Sequence, residues 1–187
     1  MFVNYFHYIY TSLNPQYPHI MKILKFESLI LLLLLIFTSC SKDDSLAVEP
    51  ADYSINLNLA HETDWEMADA ILVLINEHRV SVGLSTIERD QQQASAHAVK
   101  HTNYMIEMNQ INHDNFSERS EALRQNGAIR VGENVAYGYT NASDVVFAWL
   151  QSPSHKLVIE GNFTHSGFGV IAKENGTYFF TQLFYSK

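Results

Sequence analysis

The property of this sequence that most restricts its fold is a change of hydrophobic spacing along the chain. After Asp64, apolar residues recur with the spacing of one helix face, at Ala68, Ile71, Leu72, Ile75 and Val80. Residues 167–173 and 177–184 are instead short runs rich in β-branched and aromatic residues, as strands are. Helices followed by a sheet, with no internal repeat, predict an α+β domain.

Residues that favour helix ends divide the helical part into segments. The first predicted helix runs from Thr63 or Asp64 to Gly83, and the second from Arg89–Asp90 to about Asn109. The third covers residues 117–126 and ends at Gly127. The fourth, capped near Asn141, runs from Val145 to about Gln151 and stops before Ser152–Pro153. Asn175–Gly176, a pair favoured in tight hairpins, joins the two strands. Aromatic residues predicted to lie in the core are Phe147, Trp149, Phe168, Phe180 and Phe184.

Length and charge narrow the class of protein. The chain has 187 residues, enough for one ordinary domain, and its 47% hydrophobic and 17% charged residues are typical of a globular protein. The formal net charge of −8 gives no basic footprint, so we expect no nucleic-acid partner.

The N-terminal region is typical of an export signal rather than of a folded element. The basic stretch 21–25 precedes the apolar run Leu29–Phe37, which is too short to span a bilayer, and Thr38–Ser39 then precedes the only cysteine, Cys40. The sequence IFTSC resembles a bacterial lipoprotein signal, which implies a signal peptide over 21–39 and a lipidated Cys40 as the mature N-terminus. An ordinary signal with a chance cysteine, or a transmembrane anchor, is the alternative. Lipidation would leave no thiol for a disulfide.

Segments on either side of the signal are predicted to lie outside the folded domain. Residues 1–20 are aromatic-rich without basic residues, and we interpret them as an extension that arises from a start codon placed too early. Residues 40–63 are interpreted as a lipidated tether, which leaves 64–187 as the domain. Residues 41–45 resemble the acidic export signal of Bacteroidetes lipoproteins. That implies an outer-membrane lipoprotein of the cell envelope, exposed at the outer face; a plain solvated linker is the alternative.

Side chains able to carry chemistry are spread over several segments. His101 lies on the second predicted helix, His113 just beyond it, Glu133 in VGENVAYGY and His155 beyond the fourth helix. Carboxylates are rarely buried unless they are paired, so Glu133, among small, apolar and aromatic residues, predicts a partner elsewhere in the chain. Spacing alone does not bring these side chains together.

The motifs of the domain follow one another in a specific order: ILVLINEHRVSVGLSTIERD, AHAVKHTNYM, NHDNF, GENVAYGY, AWLQSPSHKLVI, HSGFGV and YFFTQLF. This order, over about Ala68 to Tyr185, resembles the bacterial branch of the CAP superfamily, the cysteine-rich secretory, antigen 5 and pathogenesis-related class 1 proteins. The resemblance implies an α-β-α sandwich with a central antiparallel sheet flanked by helices. It also implies a large cleft lined by histidines and glutamates.

The resemblance assigns roles to particular residues. His113 matches the first cleft histidine and Glu133 matches the glutamate of the GEN motif, so Glu133 is expected to face His113. A carboxylate in such a pair orients and charges the imidazole. His101, Asn134 and Ser152 are expected to support the cleft.

Two positions depart from the animal and plant pattern of the family. Ser152 stands where that pattern has a glutamate, and Phe179 stands where it has the second cleft histidine. The paired-histidine metal site of some members is therefore broken, although His155, in the bacterial SPxH variant, can supply an imidazole. His113, His155 and a carboxylate can bind zinc with an open position, or they can form a hydrogen-bonded network that only fixes the cleft. We favour the network, and no cofactor is certain.

Three functions remain open at this point. The family as a group favours a binding module at the cell surface, with a cleft for a lipid, peptide or glycan. A hydrolase would use His113 as base and Glu133 to orient it, but the sequence lacks the G-x-S-x-G and H-E-x-x-H patterns, and Ser152 is a nucleophile only within reach of a histidine. The third is a structural or adhesive envelope protein. We expect the binding module, anchored to the membrane by its lipid, rather than a classical enzyme.

Overall fold

A sheet lies in the middle of the domain. The computed structural model describes residues 52–187. Its strands are β1 (Glu88–Arg89), β2 (Arg130–Tyr137), β3 (His165–Ala172) and β4 (Tyr178–Ser186). They form a four-stranded sheet in the order β1-β3-β4-β2, antiparallel except for the short parallel pair of β1 with β3. The sheet is therefore largely antiparallel, as the family resemblance implies.

Helices cover both faces of this sheet. They are a 3-10 helix (Leu57–Glu62), α1 (Trp65–Ser81), α2 (Gln93–Met108), α3 (Phe116–Gln125), α4 (Ala142–Gln151) and α5 (Pro153–Ile159). Residues of α1, α4 and α5 share one core cluster with Phe168, Phe180 and Phe184 of the sheet. Residues of α2 and α3 pack with Leu183 and Tyr185, which alternate to the other face. The predicted α-β-α sandwich is confirmed.

Local capping explains where the first two long helices begin. The Asp64 side chain accepts a hydrogen bond from the Met67 amide at 3.0 Å and so caps α1 where the sequence predicts. Asp90 instead accepts from the amides of Gln92 at 2.8 Å and Ala94 at 3.1 Å. Asp90 therefore holds a turn ahead of α2, and the helix begins later than the predicted Arg89–Asp90.

Four of the described elements were not predicted from the sequence: the 3-10 helix, β1, β2 and α5. The residues of β2 are buried without interruption from Gly132 to Ala136, so the period-two pattern of a half-exposed strand is absent. Pro153 ends α4 as predicted, but it is also the first residue of α5, a position where its missing N–H is not needed.

Phe147 is the one predicted core aromatic that is not buried. On α4 the buried residues Ala142, Val145, Val146 and Trp149 follow one helical stripe, and Phe147 lies outside it. Its side chain is 66% exposed, so the prediction that it lies in the core is wrong. Trp149, Phe168, Phe180 and Phe184 are buried as predicted.

The β3–β4 hairpin has the predicted turn. Gly176 has a φ of 81°, which favours glycine, and its amide donates to the Lys173 carbonyl at 2.8 Å. The Thr177 amide donates to the Asn175 side chain at 3.1 Å. The Asn-Gly pair therefore satisfies the backbone groups of the tight connection.

The last residues of the predicted tether contact the domain. Thr63 Oγ1 donates to the Phe168 carbonyl at 2.7 Å, and Asn103 of α2 donates to Glu62 of the 3-10 helix at 2.9 Å. The extension 1–20, the signal 21–39 and Cys40 lie outside the described residues, and these assignments stay predictions. Among the helices of residues 52–187, none combines the length and the apolar character that a bilayer crossing needs.

Close approach of α2 to β3 fixes the second helical layer. A Cβ placed on Gly169 would lie 2.5 Å from the Ala98 carbonyl oxygen and 2.6 Å from the Val99 nitrogen. Both are backbone atoms of α2, so no flexible side chain can move aside. Glycine is therefore required here for packing.

We expect Gly169→Ala to lower the free energy of unfolding by about 3 kcal/mol, because the helix must shift away from the sheet. Urea titration measures this loss. Gly83→Ala is the control, since Gly83 has a φ of 81° but nothing within 4 Å of an added Cβ. Its expected loss is about 1 kcal/mol. Equal losses in the two variants would contradict the packing argument.

Candidate functional site

Glu133 is a buried carboxylate held by a buried guanidinium. Arg119 Nε donates to Glu133 Oε2 at 2.7 Å, and the Nη2 of the same residue donates to Oε1 at 2.8 Å. The exposed fractions of the two side chains are 8% for Arg119 and 2% for Glu133. Such two-point pairing fixes both the position and the plane of the carboxylate.

His113 completes the cluster at the surface. Its Nδ1 lies 2.8 Å from Glu133 Oε1, and its side chain is 51% exposed. Because an ionised carboxylate can only accept, Nδ1 carries the proton and donates it, which leaves Nε2 free of this contact. The contact that the family resemblance implies between these two residues is present, and their functional role stays a prediction.

The loop that carries His113 is held from two sides. His101, buried on α2, donates from Nε2 to the Asn112 carbonyl at 2.9 Å. Arg119 Nη1 donates to the Asp114 carbonyl at 2.6 Å. Predicted as a supporting residue, His101 thus acts on the backbone before His113 rather than on the cleft directly.

The electrostatics of the cluster keep Glu133 charged. Burial by itself raises the pKa of the Glu133 carboxyl, but the hydrogen bonds from His113 and Arg119 and the charge of Arg119 outweigh it, and the pKa is lowered. For His101, burial lowers the pKa first and the Arg119 charge lowers it further. A charged Glu133 beside a buried, neutral His101 is the state this environment favours.

His155 and Asn134 lie on the other side of β2. Asn134 is fully buried and its Nδ2 donates to the His155 carbonyl at 3.2 Å. Burial, and then the nearby charge of His113, lower the pKa of the His155 imidazole. Within residues 52–187, His155 Nδ1 and Asn134 Oδ1 are buried atoms without a hydrogen-bond partner. The pair therefore offers polar atoms that a bound group or water could satisfy.

A groove runs beside these residues along the outer edge of β2. It is a cavity of about 290 Å³, lined chiefly by Ile111, Val135, Tyr137, Ala148, Trp149 and His155. A second depression, which holds the exposed Phe147, shares Tyr139, Ala148 and Ser152 with it. Together the two give an elongated, mainly apolar groove, and the His155 imidazole lines one part of it.

Ser152 lines this groove but makes no catalytic contact there. Its hydroxyl hydrogen-bonds to that of Ser154 at 3.2 Å. In the described part of the chain, neither His113 nor His155 has a hydroxyl among its hydrogen-bond partners. The serine–histidine contact that an activated nucleophile needs is not formed.

A zinc site does not fit these residues. Both Glu133 oxygens accept hydrogen bonds from Arg119, and Oε1 also accepts from His113 Nδ1. Among residues 52–187, no three His, Cys, Asp or Glu side chains are grouped closely enough to hold a metal ion. His113 and His155 therefore lack the third protein ligand that zinc sites usually have.

Arg119 is the site residue that sequence reasoning missed. Within α3 it lies on the same helical stripe as the buried Ala122 and Leu123. A charged residue at a buried position of an amphipathic helix is the signal that could have identified it, because such a charge needs a partner.

Comparison with known proteins identifies the family of this domain. The family model for the cysteine-rich secretory protein family, CAP, matches residues 72–184. The chain belongs to the CAP family. The matched range contains His101, His113, Glu133 and His155, so the whole candidate site lies within the family domain.

Individual relatives match over the same region. The chain is 36% identical over 110 residues to the membrane protein YlbC of Bacillus subtilis, covering 55% of this chain and 31% of the relative. An extracellular protein of Bacillus anthracis that contains an SCP domain has a TM-score of 0.54 and 28% identity, over 67% of this chain and 41% of that one. An outer surface protein of Borrelia burgdorferi has a TM-score of 0.58 and 23% identity, over 65% and 93%. The chain thus spans about a third of the length of YlbC.

We expect Glu133→Ala to lower the free energy of unfolding by about 3 kcal/mol, because it leaves the buried charge of Arg119 without its partner. Glu88→Ala is the control, since the Glu88 side chain is 82% exposed, and its expected change is within about 0.5 kcal/mol. Urea titration measures both. Equal stabilities of wild type and Glu133→Ala would contradict the buried ion pair.

The same pair predicts a pH dependence. A carboxyl whose folded pKa is lowered contributes stability that is present above its unfolded pKa, about 4.5, and is lost as the pH falls through the folded value. We therefore expect the stability gap between wild type and Glu133→Gln to be widest near neutral pH and to shrink below about pH 4.5. Thermal unfolding across pH measures the gap. A gap that stays constant with pH would contradict an ionised Glu133.

Proposed function

We propose that this protein is an envelope-anchored binding module of the CAP family whose groove along β2 takes an elongated ligand with apolar and polar parts. The observation that carries the proposal is the groove itself. Its walls are mainly apolar and aromatic, and the few polar side chains that line it are Asp144, Gln151 and Ser152 in one part and His155 in the other. Concave, mostly apolar sites with a few placed polar groups are typical of ligand binding.

The Glu133–Arg119–His113 cluster supports the proposal as a device for orientation. Glu133 holds the imidazole of His113 from its buried side, so the other edge of the ring is available at the surface. A fixed imidazole can donate to an acidic or carbonyl group of a ligand without reorganising. It would thus set the ligand's polar end while the groove binds the apolar part.

Hydrolysis is less well supported. A serine hydrolase would need Ser152 or another hydroxyl beside His113 or His155, and Ser152 contacts Ser154 instead. A metal hydrolase would need a third ligand beside the two imidazoles, and the described residues do not group one there. Binding requires neither.

The proposed location is the cell envelope. Cys40 would carry the lipid, and residues 40–63 would be the tether between the lipid and the domain. The names of two similar proteins support this cellular location: YlbC is called a membrane protein, and the Bacillus anthracis protein is called extracellular. Attachment by a lipid would keep the binding domain at the membrane surface.

We expect the groove to be blocked by Ala148→Trp, because Ala148 lines both of its parts. Thermal unfolding of the full chain is followed with increasing concentrations of fatty acid, oligosaccharide and peptide probes, one of which should raise the midpoint in proportion to its concentration. That shift should disappear in Ala148→Trp. Leu157→Trp, at a side chain 75% exposed and outside the groove, is the matched control and should keep it. A shift in neither wild type nor control, or one unchanged in Ala148→Trp, would contradict the proposal.

A further inference from the structure

The outer edge of β2 carries main-chain groups that are free to pair. β2 is the last strand in the sheet order, with β4 as its neighbour. The Gly138 amide donates to the Tyr178 carbonyl at 2.9 Å, so the main-chain groups of Gly138 point towards β4. Because hydrogen-bonded and non-bonded pairs alternate in antiparallel strands, Glu133, Val135 and Tyr137 direct their main-chain N–H and C=O groups outwards.

Trp149 confirms this orientation and limits the open stretch. Its indole Nε1 donates to the Val135 carbonyl at 3.1 Å, which requires that carbonyl to point away from β4. The same contact closes the edge at Val135. Tyr137 follows next along the outer edge, with a side chain 53% exposed, and in the described part of the chain no hydrogen bond engages its outward main-chain groups.

We propose that the groove binds the C-terminal end of an extended peptide, which adds to β2 as an antiparallel strand through main-chain hydrogen bonds with Tyr137. An extended chain that adds to an open sheet edge gains affinity from the main chain and specificity from alternate side chains in pockets. This inference rests on the proposed binding function and names its ligand class.

The contact of Trp149 with Val135 sets where the peptide ends, and the antiparallel pairing that we propose sets which end of the peptide lies there. A peptide residue opposite Tyr137 exchanges both main-chain bonds with it and places a neighbouring apolar side chain into the groove beside Val135, Ala148 and Trp149. The indole on the Val135 carbonyl prevents further pairing in the direction of Glu133, so the chain must end there. A strand antiparallel to β2 runs from Tyr137 towards Glu133, so the peptide end that lies beside Val135 is its carboxyl group.

Charge complementarity also favours a carboxyl end. Glu133, the next outward residue beyond Val135, is paired with Arg119, so its charge is compensated and does not repel an incoming carboxylate. His155 lines the groove together with Val135, so a carboxylate that stops beside Val135 lies in the part of the groove that the His155 imidazole also lines.

Two peptide pools test the proposal on the full chain in mild detergent. Both contain acetylated pentapeptides randomised at every position; one pool ends in free carboxylates and the other in amides. Mass spectrometry identifies the peptides that are retained. We expect the carboxylate pool to be retained with an apolar residue enriched at one position, and the amide pool to be washed away. Equal retention of both pools would overturn the capture of a C-terminus.

This experiment separates failure of the peptide inference from failure of the binding function. If neither pool is retained while a lipid or oligosaccharide still raises the unfolding midpoint in an Ala148-dependent manner, the peptide inference is overturned and the binding function stands. If no class of probe acts on the groove, both are overturned.

Matched substitutions isolate the main-chain bond. Tyr137→Ala and Tyr137→Pro both remove the ring, but only proline removes the outward N–H, and that N–H is not part of the β2–β4 ladder. With the most strongly retained peptide, we expect Tyr137→Pro to bind about tenfold more weakly than Tyr137→Ala by calorimetry. Equal affinities would overturn the strand addition.

A change in the peptide repeats the test without altering the protein. Methylation of the peptide amides one at a time should weaken binding about tenfold at the single position opposite Tyr137 and much less at its neighbours, because only that N–H is used. Uniform effects along the peptide would overturn the proposal even if Tyr137→Pro failed to fold.

Discussion

The site depends on one interaction, the two-point ion pair between Arg119 and Glu133. A buried charge without a partner is costly, so this pair ties α3 to β2 wherever the fold is intact. Arg119 also binds the Asp114 carbonyl, and Glu133 also binds His113. The orientation of the exposed imidazole is therefore set by a contact that lies almost entirely out of water.

Much of this arrangement could be predicted from the sequence, but by different routes. The caps of α1 and the Asn-Gly hairpin follow from local chemistry, which the printed residues contain in full. That Glu133 needs a partner follows from the general rarity of unpaired buried charge. That His113 is one of its partners came from the order of the family motifs, because the two residues are distant in the chain.

The features that sequence reasoning missed depend on which sides of each element are buried by tertiary packing. Arg119 resembles a solvent-exposed arginine unless Ala122 and Leu123 are used to identify the buried side of α3. The sequence of β2 does not alternate between apolar and polar residues, because both faces of the strand are covered. Phe147 is exposed because it lies outside the buried face of α4. The groove lies among these elements, so it depends on how they meet rather than on any one segment.

The strand order of the sheet has a consequence for how the protein can be made. β4 follows every other element of the domain in the sequence, yet it stands inside the sheet between β3 and β2. Until β4 has emerged from the ribosome, Glu133 lies on a strand with no neighbour. The sheet therefore closes late, through contacts between distant segments, which slows folding. A delay of this kind would suit a chain that crosses a membrane before it folds, because the partly synthesised domain would stay open to the export machinery.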